Sequence, residues 1–238
     1  MGLVSKCVVL AAGRGTRMGS LTEELPKPML PLRGKPMLEH ILDRLRQAGF
    51  TQGLLVTGFR AAAVEEHFAG YPMALSFLRQ ERLDGTGSAA LLAREFCGGE
   101  PFLLTFGDIL TEASDYRSMV AMLESDAAAQ AVLAAKCVDD PWQGAAIYER
   151  GGVVERIVEK PARGTSTTHW NSAGTYIFRD TVFDELARIP KSARGEYEIT
   201  TAIEQLLATG RRVLVHGLQG NWRDVGRPED LGPAREIV

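Results

Sequence analysis

One stretch near the start of the chain, VVLAAGRGTRMGSLTEELPKPMLPL over Val8–Leu32, constrains the fold more than any other. It begins within an apolar run, Cys7–Ala12, which is typical of a buried parallel strand. A loop with Gly13, Gly15 and Gly19 follows. Because glycine has no Cβ atom, successive backbone amides in such a loop can turn toward an anion. The stretch therefore predicts a strand that ends in an anion-binding loop.

Three cations accompany this loop. Arg14 and Arg17 lie inside it, and Lys27 lies between Pro26 and Pro28, which stiffen the backbone around the ammonium group. A strand, an amide nest and three cations together suit a triphosphate. The chain has no G-x-x-x-x-G-K-[ST] run, and the third glycine of a G-x-G-x-x-G fingerprint comes one residue late. For a glycine loop taken alone, an ordinary strand-to-helix turn is the alternative interpretation.

Apolar periodicity predicts alternating elements in the first half of the chain. We expect helices and strands over Pro36–Ala48 (helix), Gly53–Thr57 (strand), Ala61–Phe68 (helix), Met73–Leu78 (strand), Thr86–Phe96 (helix) and Pro101–Phe106 (strand). This alternation is typical of an α/β fold with a doubly wound, mostly parallel, Rossmann-like sheet. Ligands of such sheets bind beyond the carboxyl ends of the strands, where we expect both the Gly13 loop and Asp108.

The second half of the chain predicts mainly strands. They cover Ala129–Lys136, Ala145–Tyr148, Val153–Val158 and Gly174–Phe178, before a helix over Glu198–Ala208, a strand over Arg212–His216 and a short helix from Pro228. We expect these strands to form a mixed-sheet extension that carries a second substrate. The prediction is thus a single domain, 1–238, with a nucleotide-binding half over 1–125 and a second half over 126–238.

Charge, cysteine content and hydropathy limit the partners and the cellular compartment that we expect. A formal net charge of −3 gives no reason to expect nucleic acid as a partner. The three cysteines, Cys7, Cys97 and Cys137, lack a metal-binding spacing and suit buried thiols in a reducing compartment. The sequence contains no apolar run long enough to cross a membrane and no signal-peptide core. We therefore expect a cytoplasmic protein that has no membrane partner.

Two aspartates beside glycines are candidate metal ligands. Asp108 follows Gly107 at a predicted strand end, where a carboxylate can hold Mg²⁺, and an N-cap for a following helix is the alternative. Asp224, in W-R-D-V-G, is the second candidate, and a turn residue before Gly226 is its alternative. No nucleophile-and-base set is evident, and we expect the four histidines to be structural or exposed. Phosphoryl or nucleotidyl transfer needs mainly alignment and charge neutralisation.

Five motifs occur in order along the chain. They are L-A-A-G-x-G-T-R-M with P-K-P-M-L-P-L, F-G-D at Phe106–Asp108, E-K-P at Glu159–Pro161, S-A-R-G-E-Y-E-I-T at Ser192–Thr200 and W-R-D-V-G at Trp222–Gly226. Together they resemble the sugar-1-phosphate nucleotidylyltransferases, most closely the glucose-1-phosphate thymidylyl- and uridylyltransferases. The sequence departs from that family at Ser20, where proline is usual, and at Gln143, where the thymidylyltransferases carry tyrosine.

The resemblance implies a nucleotide-diphospho-sugar transferase fold and a role for each matching residue. The implied catalytic set is Arg17, Lys27, Asp108, Lys160 and Asp224, and Asp108 and Asp224 would bind a Mg²⁺ cofactor. The implied nucleotide-binding set is Leu10, Ala11, Ala12, Gly13, Gly15, Thr16, Arg17, Gln80, Gly85 and Thr86. The implied set for the sugar phosphate is Gly144, Glu159, Lys160, Asn171, Gly174 and Arg194. For Lys160, a solvated lysine before a turn is the alternative.

Gln80 bears on the choice of nucleobase. It precedes Gly85 by the spacing found in uridylyl- and thymidylyltransferases, which implies a base-reading role. An amide can accept a hydrogen bond from N3–H of uracil or thymine and donate one to O4. The neighbouring Glu81 would instead suit the two donors of guanine, and a surface glutamine that binds nothing is a further alternative.

The resemblance as a whole implies an enzyme. It would form an NDP-sugar and pyrophosphate from UTP or dTTP and a hexose 1-phosphate, with glucose 1-phosphate favoured. Alternatives are transfer to N-acetylmuramate 1-phosphate, to mannose 1-phosphate with GTP or to phosphocholine with CTP. An alternative of another class is a non-catalytic regulatory homologue that binds a nucleotide-sugar. We expect no left-handed β-helix domain after W-R-D-V-G, and a homo-oligomer is left open.

Overall fold

The computed structural model describes residues 4–238. The strands of this part of the chain are β1 Lys6–Leu10, β2 Pro31–Leu32, β3 Lys35–Pro36, β4 Gln52–Thr57, β5 Ala74–Arg79, β6 Phe102–Phe106, β7 Ile109–Thr111, β8 Ala129–Cys137, β9 Ala145–Arg150, β10 Val153–Glu159, β11 Trp170–Phe178, β12 Arg212–Gly217 and β13 Trp222–Asp224. Its α-helices are α1 Met37–Ala48, α2 Ala61–Phe68, α3 Thr86–Leu91, α4 Arg94–Cys97, α5 Ala113–Ser125, α6 Val182–Leu186, α7 Ile199–Ala208 and α8 Leu231–Glu236. Short 3-10 helices cover Thr16–Thr22, Lys27–Met29, Pro141–Gln143 and Pro228–Asp230.

Within residues 4–238, nine strands form one sheet in the order β5-β4-β1-β6-β11-β8-β12-β10-β9. Strands β5, β4, β1 and β6 run parallel, and β8 and β12 are a second parallel pair. Strand β11 runs antiparallel to β6 and to β8, between which it lies. The expected α/β fold is confirmed, with a parallel sheet in the first half of the chain and mixed strand directions in the second.

The sheet separates two apolar cores, because successive side chains of a strand point to opposite faces. Cys7 and Val9 of β1 enter one core, which α1 and α5 cover, and Val8 enters the other, which α3, α6 and α7 cover. Five large apolar side chains of α1 recur at helical spacing, and all five are fully buried: Met37, Leu38, Ile41, Leu42 and Leu45. Each such side chain contributes about 1.5–3 kcal/mol. Helices on both faces make the sheet doubly wound, as the alternation predicted.

Three helical regions differ from the sequence prediction. The helix expected over Thr86–Phe96 is divided into α3 and α4, because the chain tightens at Ala93, whose N–H donates to Ala90 O at 3.0 Å. Helices α5 and α6 were not predicted at all. The buried face of α5 includes Asp115 and Tyr116 beside apolar residues, so its apolar periodicity is weak. Helix α6 has only five residues, too few to show a clear repeat.

A small second sheet determines the surroundings of Asp108. Strands β7 and β13 pair antiparallel, with Asp224 opposite Ile109. Asp108 therefore connects two strands and does not cap a helix, since α5 begins only at Ala113. The pairing brings W-R-D-V-G beside F-G-D, although the two motifs are far apart in sequence.

No helix in residues 4–238 is both long and apolar enough to cross a membrane. All three cysteines are free thiols. Cys7 and Cys97 are buried, and burial raises the pKa of each thiol to about 12. Cys137 is exposed, so the expectation of a buried thiol is wrong at that position because it ends β8 at the protein surface.

A buried carboxylate anchors the segment between β12 and β13. Asp115 of α5 is 2% exposed, and its Oδ1 accepts hydrogen bonds from His216 Nε2 at 2.9 Å and from Gln219 N at 3.0 Å. Its Oδ2 accepts from Gly220 N at 3.0 Å. A Cβ atom on Gly220 would lie 2.5 Å from the side chain that precedes α5, so this close approach requires glycine. The anchor fixes the path of the chain into β13.

We expect Asp115→Ala to lower the free energy of unfolding by roughly 3 kcal/mol, because three donors lose the buried carboxylate that accepts from them. Urea unfolding at neutral pH measures the change. Asp139→Ala is the matched control, since Asp139 is exposed, and we expect it to change stability by less than about 0.5 kcal/mol. Equal unfolding midpoints for the two variants would contradict the anchoring role.

Candidate active site

The loops that follow β1, β4 and β6 meet at the carboxyl edge of the parallel strands. Ala11 N donates to Val56 O at 2.8 Å, and Gly107 N donates to Leu10 O at 2.9 Å. Ala12 O accepts from the amide after Gly58 at 3.1 Å. The predicted nucleotide-binding residues Leu10, Ala11 and Ala12 therefore lie at the centre of this edge, between two neighbouring loops.

The glycine loop is shaped by one residue that must be glycine. Gly15 has φ +65°, and a Cβ atom on it would lie only 2.8 Å from Lys27 Cβ. Gly15 O accepts hydrogen bonds from Met18 N at 2.8 Å and from Thr22 Oγ1 at 3.0 Å, which closes the loop onto the 3-10 helix that Thr16 begins. Gly13, Thr16 and Arg17 are exposed at the carboxyl edge of the sheet. Their exposure leaves them open to a ligand.

Lys27 reaches from the P-K-P segment to the end of β6. Its side chain is 8% exposed, and Nζ lies 2.5 Å from Oδ2 of Asp108. Pro26 and Pro28 flank it, and Lys27 starts a short 3-10 helix that holds the backbone. The motif resemblance implied that Lys27 and Asp108 belong to one site, and the structure brings them into direct contact.

Asp224 lies beside this ion pair. The backbone N–H of Val225 donates to Asp108 O at 3.0 Å, so the two aspartates lie on adjoining backbone segments. Asp224 is exposed by its accessible surface, but the protein atoms around its carboxyl displace part of the solvent. This desolvation, and next the Asp108 charge, raise the pKa of Asp224 to about 6, while Lys27 and Arg17 oppose the rise. An atom at the Cβ position of Gly226 would lie 3.6 Å from both Arg17 Nη1 and Asp224 Oδ1. Two carboxylates and two cations thus occupy one corner of the edge.

This corner suits a hard divalent cation. Asp108 and Asp224 place carboxylates close enough to repel each other, and a cation between them would relieve that repulsion. In the described part of the chain, no group of three or more His, Cys, Asp or Glu side chains could hold a metal. Two carboxylates alone suit Mg²⁺, which keeps several waters and binds substrate phosphates for its remaining positions.

Residues of the second half form a separate cluster around Gly144. A Cβ atom on Gly144 would lie 2.2 Å from Asn171 Oδ1, and Gly144 O accepts from Lys160 N at 2.7 Å. Asn171 Oδ1 is buried and has no hydrogen-bond partner among residues 4–238, so it can accept from a ligand hydroxyl. Lys160 has φ +41° and an exposed side chain. Gly174, at φ +71°, instead packs against Phe106.

Arg194 joins two carboxylates of this half. Its Nη2 lies 3.2 Å from Glu159 Oε1 and 3.0 Å from Glu198 Oε1. Glu159 Oε2 accepts from Thr200 Oγ1 at 3.1 Å. Burial, and next the Glu198 charge, raise the pKa of Glu159 above its usual range. Sequence reasoning missed Glu198, although its spacing of four residues from Arg194 is the signal that could have found it.

Gln80 is not a surface glutamine, since it is only 9% exposed. Its Nε2 donates to Gly85 O at 3.2 Å and to Ser88 Oγ at 2.9 Å. Gly85 O can only accept, which fixes the orientation of the amide. Ser88 Oγ in turn donates to Asp84 Oδ1 at 2.6 Å. The amide nitrogen of Gln80 is therefore already bound within the protein. The expected pair of hydrogen bonds to a base, one donated and one accepted, is thus not available, and Oε1 is the group left for a ligand.

A cleft of about 640 Å³ adjoins Gln80. Arg14, Phe59 and Arg60 line its other side, and both guanidinium groups lie over the Phe59 ring, at 5.8 and 5.7 Å from its centre. Gly85 and Thr86 do not line this cleft and contact the segment around Tyr197 instead. Phe59 and Arg60 belong to none of the motifs, so the sequence did not predict their position beside this cleft.

Comparison with known proteins identifies the family. A model of the nucleotidyl transferase family matches residues 6–237, and the chain belongs to that family. The chain is 31% identical over 273 residues to UTP–glucose-1-phosphate uridylyltransferase 2 of Staphylococcus saprophyticus, covering all of this chain (100%) and 92% of that protein. The resemblance to this family seen in the motifs is confirmed.

Two further proteins are similar over most of this chain. Bifunctional protein GlmU of Methanococcus maripaludis is 34% identical over 233 residues, which are 94% of this chain and 52% of that protein. The chain thus spans about half the length of the GlmU relatives that it matches. A solved UDP-glucose pyrophosphorylase complexed with UDP-glucose has a TM-score of 0.88 and 24% identity, covering 98% of this chain and 97% of the other, which shows a shared fold.

We expect Glu198→Gln to lower the pKa of Glu159. Removal of the neighbouring negative charge makes ionisation of Glu159 easier, and it leaves the Arg194 guanidinium to Glu159 alone. Carbon-13 NMR of the side-chain carboxyl groups across a pH titration measures the shift. Glu196→Gln is the matched control, because Glu196 is exposed on the same segment. A Glu159 pKa that is the same in both variants would argue against the coupling.

Proposed function

We propose that this protein is a Mg²⁺-dependent sugar-1-phosphate nucleotidylyltransferase that joins UTP or dTTP to a hexose 1-phosphate. The observation that carries the proposal is the corner of Lys27, Asp108, Asp224 and Arg17 beside the exposed glycine loop. Its charges suit a triphosphate with a bound cation, and the cluster around Gly144 offers a second site rich in polar groups. The uridylyltransferase relative supports glucose 1-phosphate and UTP as the favoured pair.

In the proposed reaction, a phosphate oxygen of the sugar 1-phosphate attacks the α-phosphorus of the nucleotide in line. A new P–O bond forms while the bond from the α-phosphorus to the bridging oxygen of the β-phosphate breaks, and pyrophosphate leaves with that electron pair. The attacking oxygen is already ionised near neutral pH, because the second pKa of a phosphate monoester is about 6. No general base is therefore needed.

The chain's own residues align and neutralise the reactants. The Gly13–Thr16 amides and Arg17 would hold the β- and γ-phosphates, and Lys27 would neutralise the α-phosphate and the leaving pyrophosphate. Lys160 and Arg194 would hold the phosphate of the sugar. Asp108 and Asp224 would hold Mg²⁺, which supplies charge neutralisation on phosphate oxygens when it is bound. Asn171 Oδ1, buried and unpartnered among the described residues, would accept from a sugar hydroxyl.

The orientation of Gln80 is compatible with uracil or thymine as the base. With Nε2 bound to Gly85 O and Ser88 Oγ, the side chain offers a ligand its Oε1 acceptor. N3–H of uracil or thymine can donate to this oxygen, but so can N1–H of guanine and the amino groups of cytosine and adenine, so the choice of UTP or dTTP rests on the uridylyltransferase relative. We also infer a cytoplasmic location, in keeping with the free thiols.

The experiment that tests the function is pyrophosphate release from a matrix of nucleoside triphosphates and phosphate acceptors. The acceptors are glucose 1-phosphate, mannose 1-phosphate, N-acetylmuramate 1-phosphate and phosphocholine, each with and without Mg²⁺. We expect turnover with UTP or dTTP and a hexose 1-phosphate, lost when Mg²⁺ is removed. Turnover confined to CTP or GTP would contradict the base assignment. Nucleotide binding without any pyrophosphate release would support a binding protein instead.

We expect Lys27→Met to lower kcat by about 10²–10³, since loss of one preorganised electrostatic group has this typical effect. Methionine keeps the aliphatic stem that packs against Gly15. Asp108→Asn should have a comparable effect at saturating Mg²⁺. Lys35→Ala is the control, because Lys35 is an exposed lysine with surface ion pairs only. Steady-state pyrophosphate release measures all three, and wild-type turnover in Lys27→Met would refute its catalytic role.

A further inference from the structure

The loop that follows Gln80 is joined to a distant segment of the second half. Gly87 N donates to Tyr197 O at 2.8 Å, and Tyr197 N donates to Asp84 O at 2.8 Å. A Cβ atom on Gly85 would lie 2.2 Å from Tyr197 O, so the two backbones approach as closely as glycine allows. The loop implied to bind the nucleotide and the segment with Arg194 thus lie in contact.

The Thr86 side chain forms a hydrogen bond to α7 at this junction. Its Oγ1 accepts a hydrogen bond from Ile199 N at 3.1 Å, across 113 residues of sequence. Ile199 is the first residue of α7, and the first amides of a helix have no partner within it. Glu198, which precedes α7, makes no side-chain cap of its own. Thr86 therefore supplies a cap for α7 from the other half of the chain.

The start of α7 determines where Arg194 lies. Glu198, immediately before α7, is 5% exposed and holds the Arg194 guanidinium at 3.0 Å. Thr200, in the first turn, donates to Glu159, which is the second carboxylate on Arg194. A shift or fraying of this first turn would therefore displace Glu198 and break the hydrogen bond from Thr200 to Glu159, so it would disturb both partners of Arg194.

We propose that Thr86 is a positioning residue for the sugar-phosphate site, which acts by capping α7 and so fixing Arg194. The proposal rests on the proposed function and extends it. Under this proposal the Thr86 hydroxyl, in the loop that follows Gln80, contributes to the binding of the sugar 1-phosphate.

Two variants of Thr86 separate this role from nucleotide binding. Thr86→Val keeps the shape of the side chain and removes the acceptor, whereas Thr86→Ser keeps the acceptor. Initial rates are measured with glucose 1-phosphate and UTP, varying each in turn. We expect Thr86→Val to raise KM for glucose 1-phosphate about tenfold, the scale of a lost helix cap, and to raise KM for UTP by a clearly smaller factor. Thr86→Ser should restore the KM for glucose 1-phosphate.

Two controls test whether the effect passes through Arg194. Thr51→Val is the matched substitution, since Thr51 is exposed before β4, at the opposite edge of the sheet, and it should leave both KM values unchanged. In an Arg194→Ala background, Thr86→Val should add no further loss. A KM for UTP that rises as much as the KM for glucose 1-phosphate would overturn the proposal, and so would a full additional loss in that background.

Hydrogen exchange of the free protein gives a readout that does not need turnover. We expect the peptide over residues 197–203 to exchange at least about tenfold faster in Thr86→Val than in the wild type or in Thr86→Ser. Unchanged exchange there would overturn the proposal even if KM rises. If the wild type releases no pyrophosphate with any substrate pair, the proposed function fails, and the exchange result separately decides whether Thr86 caps α7.

Discussion

The contact between Lys27 and Asp108 organises the candidate active site. The tip of the Lys27 side chain meets Asp108 at 2.5 Å, while its stem lies where any side chain on Gly15 would collide. One largely buried side chain therefore fixes both the glycine loop and the end of β6. Removing one member of such a pair leaves a buried charge without its partner, which is far more costly than losing a surface ion pair. Asp224 and Arg17 complete the arrangement around this contact.

The sequence predicted those parts of the site that depend on local pattern. A buried strand followed by glycines places a loop at the carboxyl edge, and the alternation of elements places Asp108 at that same edge. The bounds expected for the helix over Ala61–Phe68 agree with α2. The pairing of β7 with β13 could not be predicted in the same way, because each strand has three residues and the partners are more than a hundred residues apart. Motif resemblance alone suggested that Asp224 belongs beside Asp108.

Side-chain partners were harder to predict than backbone positions. Gln80 was expected to use both halves of its amide on a base, but a hydrogen-bond network through Ser88 and Asp84 occupies its donor. Arg194 was expected to serve only a phosphate, but Glu159 and Glu198 already hold it. Such networks depend on which side chains of different helices, strands and loops come into contact. The apolar periodicity of a sequence carries no information about those contacts. The two ends of the site differ accordingly: backbone and glycines shape the nucleotide end, and side-chain contacts between distant segments shape the other.

The position of β11 has a consequence for folding during synthesis on the ribosome. Strand β6 ends at Phe106, but the strand that lies beside it, β11, begins only at Trp170. At typical synthesis rates the interval lasts roughly 3–13 s, during which the β6 edge has no native partner. Strand β8 emerges in that interval and must not occupy the vacant place, since β11 belongs between the two. An unpaired strand edge is a template for self-association, so the nascent chain is most exposed to misassembly at what becomes the middle of its sheet.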